Sequence, residues 1–159
     1  MKRPFLLAGS ILAFAAAFGV SWDAWAISMS VSGGWTRTIG AFDLQGGAGT
    51  DLNSTYESAA DAVLVSVTDT SAGWRVDIKK QDSTWHASLG LSARRTSSGT
   101  GGSVAGGASY QQVTDTYATF FTGSQAVSDI NVQLQVSGVS VSIPRAAYDT
   151  TVYYTVTEL

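Results

Sequence analysis

The chain of 159 residues carries nine basic and twelve acidic residues, one histidine and no cysteine, for a net charge of −3. Zero cysteine excludes thiol catalysis, cysteine-bound zinc and iron–sulfur clusters. The mildly acidic balance lacks the basic footprint of a nucleic-acid binder and gives no attraction to an anionic membrane surface.

The first element along the chain is a targeting segment. Met1-Lys2-Arg3 supplies a charged start, Phe5 to Val20 an apolar run, and Ala24-Trp25-Ala26 a small-residue cleavage pattern. The apolar run is short of the roughly 20 residues that a membrane span needs. Residues 1–26 therefore read as a cleaved signal peptide and 27–159 as one domain, with an uncleaved anchor as the alternative. The expected destination is extracellular or the cell surface, with periplasmic transit possible and no membrane contact in the mature form. Without disulfides, an exported domain of this length must draw its stability from its core and its backbone ladder.

Next comes Ile27-Ser28-Met29-Ser30-Val31-Ser32, which places Ile27, Met29 and Val31 on one face, followed by Gly33-Gly34. Period-two alternation continues through the chain, as in Trp74-Arg75-Val76-Asp77-Ile78 and Ile130-Asn131-Val132-Gln133-Leu134. The expected strands are 27–32, 35–44, 62–69, 74–80, 87–96, 110–122, 129–142 and 150–158. Turn residues separate them, among them Gly46-Gly47-Ala48-Gly49 and Gly123-Ser124. Ser97 to Ser109, with five glycines and four serines, reads as a flexible hairpin or crossover loop. Helical spacing is nearly absent. The fold class is all-β: an Ig-like antiparallel β-sandwich of about seven to eight strands.

Residues able to do chemistry are few. His86 could serve a Ser-His-Asp triad, but there is no Gly-x-Ser-x-Gly elbow, and a surface histidine at a strand start is the simpler reading. Asp51-Leu52-Asn53-Ser54-Thr55-Tyr56-Glu57 offers oxygen ligands of the kind calcium takes, without the spacing or the glycine of an EF-hand loop. The remaining acids read as solvated turn and surface charge. No catalytic residue, metal or cofactor is assigned, and the chain is expected not to be an enzyme. Trp74 and Trp35 read as core, whereas Trp85, beside His86, is the better candidate for an exposed ligand platform. Lys79-Lys80 and Arg94-Arg95 read as strand-edge charges that deter sheet-to-sheet aggregation.

The run Tyr148-Asp149-Thr150-Thr151-Val152-Tyr153-Tyr154-Thr155-Val156-Thr157 resembles the last strand of spore-coat-U-like and other pilin-like secreted sandwich subunits. The resemblance covers about ten residues and the general pattern after the signal. It implies an Ig-like fold and polymerisation by donor-strand exchange. The chain departs from those subunits in lacking their disulfide cysteines, a feature it shares with TasA-like fibre proteins that also donate an N-terminal strand. The functional expectation is an exported subunit of an extracellular fibre or surface layer. Ile27, Met29 and Val31 are its assembly strand, and copies of itself or other surface subunits are its partners. The alternative is a secreted carbohydrate-binding β-sandwich module built on Trp85 and His86.

Overall fold

The computed structural model describes residues 26–159, so the expected signal segment lies outside the described residues except for Ala26. The described chain forms nine strands and one short 3-10 turn, Ala41–Asp43. The strands are β1 (Ser28–Gly33), β2 (Thr55–Glu57), β3 (Val63–Thr68), β4 (Gly73–Asp82), β5 (Gly90–Arg95), β6 (Thr100–Ala105), β7 (Gln111–Gln112), β8 (Ala118–Ser137) and β9 (Thr150–Glu158). The architecture is the expected all-β antiparallel one, with two short strands, β2 and β7, bringing the total to nine.

The organising element is β8, a strand of 20 residues. One of its edges pairs in turn with β4, β3 and β2, and the other with β6 and then β5. The main path β1-β3-β8-β4-β9 curls around one apolar cluster until its two ends approach each other, giving a sandwich that is nearly a barrel. So long a strand can serve both halves because it bends at β-bulges. Its register slips by one residue opposite Val76, opposite Gly101–Ser103 and opposite Val65–Val67. Gln125 and Asp129 take positive φ, 61° and 59°, near the last two slips. Each slip changes which residues face inward. Phe121 and Val127 lie on the core side before the final slip, and Ile130, Val132, Leu134 and Val136 lie there after it.

The core is densest where β3, β8 and β4 lie side by side. Val65, Val67, Trp74, Val76, Ile130 and Val132 have no solvent exposure. Trp74 packs edge-on against Phe121, with ring centroids 6.2 Å apart. Its Nε1 donates a 2.7 Å hydrogen bond to the Gln125 carbonyl, which satisfies the one polar atom of a buried indole. Gly123 makes this possible, since a Cβ there would sit 2.3 Å from the Trp74 ring.

Four expectations are corrected. The strands expected at 110–122 and 129–142 are one continuous strand, β8, with only β7 before it and residues 138–142 outside any strand. Gly123-Ser124 is no turn: it lies inside β8 and makes room for Trp74. Ser97 to Ser109 is not simply a loop, because it contains β6, paired along β8. Its glycines permit close approach rather than flexibility; a Cβ on Gly102 would lie 2.0 Å from the Ser124 carbonyl oxygen. Residues 35–44, expected as a strand, have no strand to partner them and form an exposed excursion that contains the 3-10 turn, with Phe42 fully in solvent. Local propensity alone does not make a strand, since a ladder also needs a neighbouring edge.

Candidate functional site

Both ends of the curled sheet fall at one place. β1 pairs only with β3, in a register that sets Met29 opposite Val67, Val31 opposite Val65 and Gly33 opposite Val63. β9 pairs only with β4, setting Val152, Tyr154 and Val156 opposite Lys80, Ile78 and Val76. β1 and β9 touch, but no ladder joins them. This open seam shows in the burial of their inward residues. Ile27, Met29, Val152, Tyr154 and Val156 pack against the core only in part, and Val31 is 42% exposed.

The exit from β1 is set by Gly33. Its φ is +103°, and a Cβ there would meet the Ala62 carbonyl oxygen at 2.2 Å. That carbonyl instead accepts the Gly34 amide at 2.9 Å. From there to Thr50 the chain makes an exposed excursion bonded largely to itself. Asp43 caps the Gly40 amide at 2.9 Å and pairs with Arg37, and the Gly40 bond is the first cause of its carboxyl lying below the ordinary range. The excursion is pinned at its far end by Asp51, whose carboxylate accepts the Val141 amide and the Leu52 amide, both at 2.8 Å, and the Ser140 hydroxyl at 3.0 Å. These donors, the Val141 amide foremost, hold the Asp51 carboxyl below its usual value. Asp51 therefore clasps two loops together, and its oxygens are already engaged.

Between the end of β1 and the start of β9 lies a cleft of about 350 Å³. Buried Val63, Leu91 and Leu134 border it on the core side. Trp35, Trp85, Tyr148 and Tyr154 bring four aromatic rings to it, and Asp149 and Thr151 stand at its edge. Trp85 is half-buried, donates its Nε1 to the Leu89 carbonyl at 2.7 Å and lies under the Lys80 ammonium at 5.7 Å. His86 stacks edge-on against Tyr148, centroids 5.8 Å apart, and its Nδ1 accepts the Ser88 amide at 3.2 Å. Among the described residues neither a serine hydroxyl nor a carboxylate is bonded to that ring. His86 thus stands behind a cleft wall.

The structure brings Trp85 and β1 together at one seam, an association that no pattern along the chain points to. Trp35, expected in the core, is only partly buried at its edge, and nothing along the chain joined it to Tyr148 and Tyr154, which sit in distant segments. The basic pairs are tied into the surface. Lys79 lies over the Tyr117 and Tyr153 rings at 4.7 and 5.6 Å, and Arg94 holds Gln133 through bonds of 3.0 and 2.8 Å. A scan against protein-family models gives no match for this chain, and searches of curated proteins and of solved structures give none either.

Proposed function

We propose that this chain is the subunit of an extracellular fibre or surface layer and assembles by donating β1 to a neighbouring copy. The observation that carries the proposal is the mismatch in burial across one strand pair. Val63, Val65 and Val67 of β3 are 0–5% exposed, whereas on β1 Val31 is 42% exposed and Met29 is only partly buried. Withdrawing β1 gives up little burial of its own side chains but uncovers the edge of β3, Val65 and Val67 included, which leaves an apolar acceptor for another strand. The β1 of a second copy restores the same contacts in the same register, which is the energetic logic of exchanging an identical element.

The connector suits such an exchange. Residues 34–50 are mostly exposed, and an extended segment of roughly 17 residues spans about 55 Å. Export is the premise contributed by residues 1–26. The chain offers copies of itself as the partner, and β1 must stay unpaired or self-paired until the subunits meet.

The absence of cysteine makes the test clean. Ser28 and Thr68 face each other across the β1–β3 pair, and both are exposed. In a Ser28→Cys/Thr68→Cys variant, oxidation before assembly locks β1 into its own sheet. The expected result is monomer when oxidised and filaments in the electron microscope once reduced. Oxidation after assembly should give a ladder of disulfide-linked subunits on a non-reducing gel. Filaments carrying only intramolecular disulfides would overturn strand donation, and wild-type protein that never polymerises would overturn the fibre.

A further inference from the structure

We propose that Asn53 is an N-glycosylation site and that the first sugar of its glycan packs against Phe42. The inference rests on export, the premise that residues 1–26 contribute, and not on strand donation.

The first ground is the acceptor sequence. Asn53-Ser54-Thr55 has a hydroxyl residue two after the asparagine and no proline between them, which is the pattern that N-linked transfer requires. The chain has two asparagines, and the other, Asn131 inside β8, is followed by Val132-Gln133 and lacks the pattern. Transferases that also demand an acidic residue two before the asparagine find Asp51 there.

The second ground is room in the folded protein. A glycan added during export persists only where the fold leaves space for it. Asn53, Ser54 and Thr55 are all exposed, between the bridge that pairs Leu44 with Leu52 and the start of β2. The backbone there is held without help from those side chains. The Asn53 amide donates to the Asp43 carbonyl at 3.0 Å, and the Ser54 carbonyl accepts the Val139 amide at 3.1 Å. None of the three residues borders the cleft between β1 and β9.

The third ground is Phe42. It is the most exposed large apolar side chain among the described residues. The bond from Asn53 to Asp43 sets the asparagine beside the residue that follows Phe42. A phenyl ring left in water carries an unfavourable hydration free energy, and the C–H face of a sugar attached next to it removes part of that ring from water.

The donor is a lipid-diphosphate-linked oligosaccharide, and the catalyst is an oligosaccharyltransferase of the export route. The side-chain amide nitrogen of Asn53 attacks C1 of the first sugar and forms the C–N bond. The bond from C1 to the diphosphate oxygen breaks, the lipid diphosphate leaves with the electron pair, and the amide nitrogen gives up one proton.

The test is mass spectrometry of the tryptic peptide 38–75 from protein exported by its own host. A hexose or hexosamine ladder on Asn53 is expected, with Asn53 converted to aspartate when an amidase releases the glycan. Asn53→Gln and Thr55→Val should both lose the added mass completely, and Thr55→Ser should keep it. Phe42→Ala should lower the melting temperature of the glycosylated protein by about 2–4 °C and leave the Asn53→Gln protein unchanged. Equal shifts in the two forms would overturn the packing on Phe42. A bare Asn53 on exported protein would overturn the glycan while leaving the fibre reading intact. A bare Asn53 on protein retained inside the cell would overturn both.

Discussion

The centre of the sheet and its seam are made of the same kind of strand, yet they behave as different materials. In the centre, β3, β8 and β4 each have neighbours on both edges, and their inward residues are fully buried. At the seam, β1 and β9 each have one neighbour, and their inward residues are only partly buried. The difference is one of neighbours, not of composition: Val65 and Val31 are the same residue in register with each other, at 0% and 42% exposure. Stability belongs to the centre, and the seam is where local opening is cheapest.

Four measurements sharpen that contrast. The largest effect is expected from Trp74→Ala, which empties the most buried large side chain and breaks its bond to Gln125. A loss of about 3–5 kcal/mol is expected by denaturant titration, enough to threaten the fold. Next, Ile130→Ala in the centre should cost about 2–5 kcal/mol, while Met29→Ala at the seam should cost under about 1 kcal/mol. Equal losses at the two positions would erase the distinction.

A smaller effect is expected from Gly33→Ala. It forces a side chain into a positive-φ conformation against the Ala62 carbonyl, at about 1–3 kcal/mol. The penalty should fall on β1 alone. Hydrogen exchange should speed up for the β1 and β3 amides that join the pair and stay slow in β4 and the adjoining part of β8.

The smallest effect is in the outer loops. The Asp51 carboxyl is depressed in the folded state, first by the Val141 amide. A depressed acid contributes stability that is fully present above its unfolded value, ordinarily 3.8, and is lost as pH falls through the lower folded value. The Val141 amide resonance should therefore move only below that ordinary value. It should lose that step in Asp51→Asn, with the centre unaffected in both.

Much of the centre was legible along the chain. Trp74, Val76 and Ile78 alternate with polar residues, and a run of that kind buries one face whatever its partner is. What misled was glycine. Gly123 reads as a turn and Gly99 to Gly107 as part of a flexible loop, because a glycine does not announce whether it frees the backbone or makes room for another group. Here Trp74 lies 49 residues before the glycine it covers by simple numbering, and only their pairing tells the two roles apart. The phase changes at Gln125 and Asp129 were invisible for a related reason: a bulge answers to the strand alongside it. Of the cleft, Trp85 stood out because it adjoins His86, while Trp35, Tyr148 and Tyr154 had no local feature to join them.

The sequence by itself determined that this is an all-β chain, that Ile27, Met29 and Val31 share one face, and that Trp74 belongs inside. Each follows from side chains alternating along a strand, which is a local property. Tertiary structure decided which strands are edges, where the sheet fails to close and which rings meet in the resulting cleft. Those depend on pairing between residues far apart in the chain, and period two says which face is buried without saying whose edge it meets.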